Sequence, residues 1–326
     1  MTRILGDADV ERLMDRRAAV EILEAGFQAD ARGEISLYPR IRWDAAGVSV
    51  AWLAATLPRQ DLLGFRAYLA GGDGSDRGEQ VVALYRHSTM ELRAVFLGRL
   101  LGRLRTGAAA VAALHFAQPD LGRLGLLGTG TQAREILACA VAALPLESVW
   151  AWSPDPGHRT EFRDWAEHTL RFPVHLATEA SGVCRESEAV ALATSATAPV
   201  LTAPMLPGPR LLLSISAYRR PELGPGILEA APRVWTDSVE QAGGRGTWFE
   251  PMDRRGKLRP LAAEADLGAL RDGSTTRILI NTGAAWEETL VGDVLYRAAE
   301  ASGSGFSMDV TAPLGGGPEG WARPAR

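Results

Sequence analysis

The chain has 326 residues, of which 46% are hydrophobic, and a formal net charge of −4 at pH 7. This length exceeds the usual size of a single hydrophobic core, so we expect two domains or lobes. The charge balance offers no basic surface to nucleic acid, and no apolar run is long enough for a membrane span. Cys139 and Cys184 show neither metal-ligand nor disulfide spacing. We therefore expect a cytoplasmic protein that binds neither nucleic acid nor a membrane.

The first part of the chain opens with a helical pattern and continues with strands. Apolar residues recur at helical spacing from Asp7 to Ala31, and the pattern changes to strands and turns from Ile35 to Phe96. Residues 97–116 are rich in Leu and Ala and predict a helix that ends before Gln118-Pro119-Asp120. We place a first lobe of α+β type at residues 1–118. The candidate strands within it are 48–53, 64–69 and 81–85.

Strands and helices alternate in the second part of the chain. The candidate strands are 124–127 and 148–152, the candidate helices are 132–144 and 159–169, and further short elements lie at 174–177, 188–193 and 210–214. An alternation of this kind implies a parallel sheet with helices on both faces. The predicted fold class is therefore α/β, with a Rossmann-type doubly wound parallel sheet at residues 119–284.

The end of the chain combines a helix with a Gly/Pro-rich segment. The helical run covers residues 285–301, and residues 303–326 are expected to form a flexible tail. Glu287 and Glu288 open the helix, where solvated negative charge suits the helix dipole. Three tryptophans are candidates for lining a substrate pocket, although core packing is the commoner role: Trp43, Trp248 and Trp286.

A glycine-rich turn connects the first strand of the predicted parallel sheet to its helix. Gly128 permits a tight turn, Gly130 lets the backbone approach a pyrophosphate, and Ala133 lets the helix pack close to the strand. The helix N-terminus then offers N–H groups and a positive dipole end to an anion. The pattern predicts a bound dinucleotide, with a plain glycine-rich β–α turn as the alternative. The side chains expected near the phosphates are those of Thr129, Thr131 and Gln132.

Two other features bear on the ligand. Thr194 and Ser195 end a later strand, where open α/β sheets bind their ligands. None of the five histidines has metal-ligand spacing, so we expect no bound metal.

Five segments of the chain carry a resemblance to a known family. They are Arg105–Ala110, Leu192–Ser195, Ser214–Leu228, Val234–Ala242 and Thr282–Glu288. Their order and spacing resemble the ornithine cyclodeaminase/μ-crystallin family over roughly residues 36–301. The resemblance implies a substrate-binding and dimerisation lobe, completed by the C-terminal helix 285–301, and hence a homodimer. It also implies a nicotinamide cofactor and an amino-acid or imine substrate.

The resemblance also assigns roles to three arginines. It implies that Arg105 and Thr106 meet the substrate carboxylate and the cofactor, and guanidinium suits a carboxylate because it can bind both oxygens. Arg40 matches a second carboxylate-binding arginine, with Arg42 as a competing candidate. Arg66 stands where the family usually has lysine; arginine keeps the charge but is not deprotonated.

The chain departs from the cyclodeaminases after one strand. Those enzymes carry an aspartate there as acid or base at the substrate amine, whereas the stretch from Ile215 to Glu222 is shorter here and has no carboxylate at that position. Tyr218 is the nearest counterpart and a candidate catalytic residue; a packing role beside the nicotinamide is the alternative. A phenol can donate a proton to nitrogen but is a poor base. Ornithine cyclodeamination is therefore disfavoured, and the turn is more similar to that of family members that oxidise an amino-acid adduct in siderophore precursor synthesis.

The choice between NAD and NADP depends on the end of the second strand of the sheet. The resemblance places Ser153 at the ribose position, and Ser216 and Asn281 beside the nicotinamide. Asp155 would favour NAD by accepting a ribose hydroxyl, whereas Ser153 with Arg159 would hold a 2′-phosphate. The second arrangement gives NADP a slight preference.

We interpret the chain as an NAD(P)-dependent oxidoreductase that acts on the C–N bond of an amino acid or cyclic imine. Arg105, with Arg40 or Arg66, would hold the substrate carboxylate. One alternative is an amino-acid cyclodeaminase or diaminopropionate-type synthase that uses bound NAD without net redox change. The other is a non-catalytic, μ-crystallin-like ligand-binding protein.

Overall fold

The computed structural model describes residues 1–71, 78–215, 222–244, 249–263 and 266–310. Within these ranges the strands form two sheets. One sheet is built before residue 99 and completed near the end of the described chain, and the other lies between residues 123 and 280. The division into domains at residue 118 stays a prediction.

The first sheet is antiparallel apart from one parallel pair, and three helices accompany it. Its strands have the spatial order β15-β1-β6-β5-β4-β3-β2, in which β1 and β6 run parallel. The elements are β1 (Thr2–Leu5), α1 (Asp7–Leu13), α2 (Arg16–Ala31), β2 (Ser36–Ala45), β3 (Val48–Leu57), β4 (Leu62–Gly71), β5 (Gln80–Arg86), β6 (Leu92–Gly98) and α3 (Leu100–Ala117), with β15 (Phe306–Met308) added from the far end of the chain.

Two boundaries in this region differ from the sequence prediction. The helical opening is two helices, because Asp15 caps α2 by accepting a hydrogen bond from the Ala18 backbone N–H. The helix predicted from residue 97 begins at Leu100, since Gly98 takes a left-handed φ of 122° that ends β6. Asp7 Oδ1 then accepts from the backbone N–H groups of Arg99 and Leu100, both at 2.8 Å.

The second sheet is parallel throughout, which confirms the predicted α/β class. Its spatial order is β13-β12-β14-β11-β10-β7-β8-β9. The elements are β7 (Arg123–Leu127), α4 (Thr131–Ala143), β8 (Ser148–Trp152), α5 (Pro156–Trp165, continued by a π-helical turn, Ala166–Leu170), β9 (His175–Leu176), α6 (Ala180–Glu186), β10 (Ala189–Leu192), β11 (Leu211–Ser214), α7 (Pro225–Ala230), β12 (Val234–Thr236), α8 (Val239–Gly243), α9 (Glu250–Arg254), β13 (Leu258–Pro260), α10 (Leu267–Arg271) and β14 (Arg277–Ile280).

Both faces of the parallel sheet are buried. Along β10, Ala189 and Ala191 join one hydrophobic cluster, whereas Val190 and Leu192 join the other. Side chains of a strand alternate between faces, so apolar residues at every position require cover on both sides.

The last helix, α11 (Ala285–Ser302), packs against α2, α3, β3 and β4. Gly303 and Gly305 follow it with φ of 70° and 79°, and the chain then forms β15, which pairs antiparallel with β1. The flexible-tail prediction is therefore wrong for residues 306–308, because β1 has an open edge that this segment covers. Residues 311–326 lie outside the described residues.

No helix in the described ranges has the length and apolar character needed to cross a membrane.

Candidate functional site

The glycine turn lies at the carboxyl end of β7, in the middle of the parallel sheet. Gly128 has a φ of 105°, and a Cβ atom there would lie 2.3 Å from the Ala193 carbonyl oxygen. Gly130 is the N-cap of α4, and a Cβ atom there would meet no described atom within 4 Å. The turn therefore combines close strand packing with open space at the N-terminus of a 13-residue helix. An anionic group can approach α4 from this side.

Ser153, at the end of β8, is buried and linked to the glycine turn. Thr129 Oγ1 lies 3.1 Å from Ser153 Oγ, and Arg159 Nη1 donates to the Ser153 carbonyl oxygen at 3.0 Å. Asp155 instead caps α5, with its carboxylate 3.0 Å from the His158 backbone N. This backbone hydrogen bond lowers the pKa of Asp155. The arginine is thus next to the strand end, while the carboxylate is engaged in a helix cap.

Glu222 joins two strand ends and was given no role by the sequence analysis. It is fully buried, and its Oε1 accepts from Thr194 N at 2.8 Å and from Thr194 Oγ1 at 2.6 Å. Its Oε2 accepts a hydrogen bond from the Ser214 hydroxyl. Glu222 therefore holds the carboxyl ends of β10 and β11 together and fixes the end of the segment 216–221. That segment, which contains Ser216 and Tyr218, lies outside the described residues.

Arg66 and Arg105 are buried beside the first turn of α11. Arg105 Nε lies 2.5 Å from Glu288 Oε1, and Arg105 Nη1 lies 3.2 Å from Glu287 Oε2. Arg66 donates to the same Glu288 oxygen. The two glutamates are 0% and 1% exposed, so the expectation of a solvated helix start is wrong. The start of α11 is enclosed by α3 and β4, and the arginines of those elements form ion pairs with it.

Arg40 contacts the turn that leads into α11. Its Nη2 donates to the carbonyl oxygens of Thr282 and Gly283 at 3.2 and 3.0 Å. Gly283 has a φ of 75°, and a Cβ atom there would lie 2.6 Å from Arg105 Nη1. Arg42 points elsewhere, with its Nη2 at 2.7 Å from the Tyr68 hydroxyl. The structure therefore brings Arg40, Arg66 and Arg105 together around residues 282–288 and leaves Arg42 out.

Asp237 fixes the backbone that leads into α11. Its carboxylate accepts from the backbone N–H groups of Thr282, Gly283 and Ala284 at 2.8, 2.7 and 3.1 Å. Gln241 supports the same turn, with Nε2 at 2.9 Å from the Thr282 carbonyl oxygen. The sequence analysis had these residues within a family motif but assigned them no function.

Burial and charge oppose each other in this cluster. Burial disfavours the charge on Arg105, but the neighbouring acidic groups, Glu288 foremost, more than offset it and raise the pKa of Arg105. Burial lowers the pKa of Arg66, an effect that Glu288 only partly offsets. Burial and the nearby Asp237 raise the pKa of Glu287 well above its usual range. Both guanidinium groups stay charged at neutral pH.

At the carboxyl edge of the parallel sheet, two amide side chains carry a buried polar atom without a partner among the described residues. They are Asn281 Nδ2, at the end of β14, and Gln132 Oε1, in the first turn of α4. Buried polar atoms are nearly always hydrogen-bonded, so a ligand is a natural partner for both. Thr106, by contrast, uses its hydroxyl to bond the Gly102 carbonyl oxygen one turn back in α3, at 2.8 Å.

The remaining candidates divide between core and surface. Trp286 is fully buried and contacts Phe27 edge-on, with ring centroids 5.1 Å apart, so it belongs to the core. Trp43 is 55% exposed on β2, and Trp248 lies outside the described residues. No group of three His, Cys, Asp or Glu side chains within the described ranges is arranged to hold a metal ion.

Comparison with known proteins identifies relatives along most of the chain. Iminosuccinate reductase from Paracoccus denitrificans is 25% identical over 94% of this chain and 99% of the relative. Its crystal structure in complex with NAD⁺ superposes with a TM-score of 0.81, at 24% identity, covering 93% and 97% of the two chains. Δ1-pyrroline-2-carboxylate reductase from Bacillus thuringiensis is 24% identical over 70% of this chain and 74% of its own.

A solved lysine cyclodeaminase, studied for its recognition of L-lysine, L-ornithine and L-2,4-diaminobutyric acid, is 29% identical. It superposes with a TM-score of 0.80 and covers 94% of each chain. The model of the ornithine cyclodeaminase/mu-crystallin family matches residues 1–276. The chain therefore belongs to the ornithine cyclodeaminase/mu-crystallin family.

Proposed function

We propose that the protein is a nicotinamide-dependent oxidoreductase that reduces the C=N bond of an amino-acid-type imine, or oxidises the corresponding amine in reverse. The observation that carries the proposal is the convergence of Arg40, Arg66 and Arg105 around the start of α11. Such a cluster suits a substrate that carries a carboxylate. Relatives named as imine reductases support the same chemistry.

The glycine turn of the parallel sheet fits a dinucleotide. The open space at Gly130 suits a pyrophosphate, and the unpartnered Asn281 Nδ2 would donate to the carbonyl oxygen of a nicotinamide carboxamide. Gln132 Oε1 is an acceptor and would need a donor such as a ribose hydroxyl. We propose that Gly128, Gly130 and Thr131 hold the phosphates, with Thr129 and Ser153 behind them. When bound, the cofactor supplies or accepts a hydride.

Of the two nicotinamide cofactors, the contacts at β8 favour NADP. Arg159 lies against the Ser153 carbonyl group, where a 2′-phosphate would add a charge partner. Asp155 is engaged with the His158 backbone, which leaves it less suited to a ribose hydroxyl. The NAD⁺ complex of the Paracoccus relative favours NAD instead. Measured affinities for the two cofactors decide between them.

The protein's own contribution is to position the substrate and to exclude water. Arg105 and Arg66 would bind the carboxylate, and Arg40 would hold the 282–283 backbone in place. Glu222 would fix the strand ends that flank the reacting carbon. Tyr218 remains our proposed proton donor to the imine nitrogen, because a phenol can give a proton to a developing amine.

The direct experiment is to incubate the purified protein with NADH or NADPH and small carboxylated imines, both cyclic and acyclic. We expect cofactor oxidation with at least one of them, and cofactor reduction when the product amino acid is supplied. Absence of turnover in both directions across the panel, together with retained cofactor binding, would point to a ligand-binding protein.

Amino-acid cyclodeamination is the second candidate function. The similarity to lysine cyclodeaminase favours it, and the absence of a carboxylate from residues 215–221 opposes it. A cyclodeaminase forms a cyclic amino acid and ammonia from a diamino acid with no lasting change in nicotinamide absorbance. If the protein releases ammonia from lysine or ornithine at constant nicotinamide absorbance, it is a cyclodeaminase and our proposal of an imine reductase is wrong.

We also propose that the protein is a homodimer that associates through the outer face of the first sheet. That face carries exposed apolar side chains in register, since Trp43 pairs with Val50 and Val50 pairs with Leu69. A contiguous apolar patch on a sheet typically marks a protein interface. In a two-fold symmetric dimer, the same patch of each subunit contacts that of the other. Sedimentation analysis should show a dimer that Trp43→Asp dissociates and the control Met90→Asp does not. A monomeric wild type would refute the proposal.

A further inference from the structure

We propose that Glu287 is a neutral carboxylic acid in the working protein, and that its neutrality leaves Arg66 and Arg105 with the net positive charge that binds the substrate carboxylate. Glu287 is thus a positioning residue that acts through Arg105. The inference deepens the proposed function and rests on it, since it concerns how the same site attracts an anion.

The first step is that hydrogen-bond donors surround the Asp237 carboxyl group. Asp237 accepts hydrogen bonds from three successive backbone N–H groups, those of residues 282–284. It also accepts from the hydroxyl groups of Thr282 and Thr236, at 2.8 and 3.0 Å. These donors occupy the oxygens of Asp237 and leave little room for a proton on them.

The second step is that Glu287 carries the proton. Its side chain is 0% exposed and hydrogen-bonds Asp237. Two carboxyl groups in contact cannot both be ionised at low cost, so the group with fewer donors keeps the proton. Glu287 has one donor, Arg105 Nη1 at 3.2 Å, and its Oε1 accepts from none in the described part of the chain. Burial and Asp237 accordingly raise the pKa of Glu287.

The third step is the charge balance of the arginine pair. Arg66 and Arg105 both donate to a single oxygen of Glu288. With Glu287 neutral, the three cations Arg40, Arg66 and Arg105 face two anions, Glu288 and Asp237, and the substrate carboxylate restores neutrality. If Glu287 were ionised, the cluster would already be balanced, and a further anion would enter against repulsion in a low-dielectric site.

Three charged or titratable groups face Glu287, and two more lie next to those groups. Arg105 faces it from α3, Asp237 from the turn after β12, and Glu288 from its own helix. Arg40 of β2 reaches the adjoining carbonyl groups, and Asp30 of α2 faces Asp237. Asp237 also raises the pKa of Asp30, to about 6, after the larger effect of burial. In any titration, the signal of the Asp30 carboxyl group must therefore be distinguished from that of Glu287.

Infrared spectroscopy of the holoprotein tests the protonation directly. A protonated carboxylic acid has a C=O stretch that is distinct from the bands of a carboxylate. We expect this band in the Asp30→Asn variant to persist well above pH 6, where an ordinary glutamate is ionised. We expect it to disappear when Glu287→Gln is added. No such band in Asp30→Asn at neutral pH would overturn the proposal, and this measurement needs neither turnover nor the Glu287 variant.

Kinetics of the Glu287→Gln variant test the consequence. Because the proposal makes Glu287 neutral at neutral pH, we expect KM for the imine in the wild type to rise at the alkaline end of the pH range, where Glu287 loses its proton. We expect this rise to be absent from Glu287→Gln, which has no proton to lose. If Glu287 were an ionised partner of Arg105 at neutral pH, Glu287→Gln would remove a negative charge and shift KM at neutral pH by about tenfold or more. That shift at neutral pH would overturn the proposal. If no imine is turned over but the infrared band is present, the proposed function is refuted. The protonation of Glu287 is then still supported.

Discussion

Thr194 gives both its backbone N–H and its hydroxyl to one oxygen of Glu222, at 2.8 and 2.6 Å. The two residues lie on either side of the segment 195–221 and anchor its ends to the carboxyl edge of the parallel sheet. Because ligands of open α/β sheets bind at this edge, the pair connects fold stability with the proposed cofactor site.

Substitution of Glu222 should affect both the stability of the fold and the binding of the cofactor. Glu222→Gln places an amide N–H₂ group among the donors of Thr194 and Ser214, so at least one of them loses its acceptor. We expect a loss of about 1–3 kcal/mol in the free energy of unfolding, because the amide donors replace an acceptor of buried hydrogen bonds. We also expect weaker binding of the nicotinamide cofactor. Urea unfolding and cofactor titration measure the two effects.

The matched control for this variant is Glu79→Gln, because Glu79 is exposed. It should leave stability and cofactor affinity unchanged. Equal behaviour of the two variants would show that the Glu222 contacts contribute little to either property.

The second prediction concerns the geometry of Arg105. Arg105→Lys keeps the positive charge but cannot contact Glu287 and Glu288 as the guanidinium group does. We expect kcat/KM for a carboxylated imine to fall by at least about tenfold, or about 1.4 kcal/mol. Steady-state kinetics with saturating cofactor measure this change. Arg103→Lys, two positions away on α3, is the control and should retain activity; an equally active Arg105→Lys would contradict the proposed role.

Local signals were sufficient to predict much of the fold. The glycine turn was recognisable because Gly128 and Gly130 follow a short apolar run and precede a helix, all within about fifteen residues. Alternating strands and helices likewise gave the parallel sheet. The edge strand 306–308 escaped notice because three residues carry no periodicity and their pairing depends on the distant β1.

The charge network could not be predicted in the same way. Arg105 and Glu288 are 183 positions apart, so no sequence window contains both. Glu287 and Glu288 looked like solvated helix-start residues because acidic side chains favour that position in isolated helices. Tertiary packing overrides this preference, since α3 and β4 enclose the start of α11 and bring two arginines to it. The family resemblance identified the arginines but not their partners.

The third prediction tests cofactor choice at the end of β8. If Arg159 binds a 2′-phosphate, Arg159→Ala should weaken NADP binding by about tenfold or more and leave NAD binding unchanged. Isothermal titration with each cofactor measures the ratio. Arg171→Ala is the control, because Arg171 is exposed beyond the helix that Arg159 belongs to. If the wild type binds NAD more tightly than NADP, the proposed preference for NADP is wrong. Asp155 would then be the candidate that accepts a hydrogen bond from the ribose hydroxyl.

The last prediction is a pH dependence of stability from Asp30. Burial, followed by the charge of Asp237, raises the pKa of Asp30 from 3.8 to about 6 in the folded state. The folded protein therefore binds this proton more tightly than the unfolded chain, so the contribution is complete at low pH and is lost as the pH rises to about 6. A shift of this size corresponds to at most about 3 kcal/mol.

Asp30→Asn removes this titration, so its free energy of unfolding should depend less on pH than that of the wild type between about pH 4 and pH 6. Urea unfolding at several pH values provides the comparison. Asp44→Asn, which changes an exposed aspartate on β2, should keep the wild-type slope. Parallel curves for the wild type and Asp30→Asn would mean that Asp30 titrates as an ordinary solvated carboxyl.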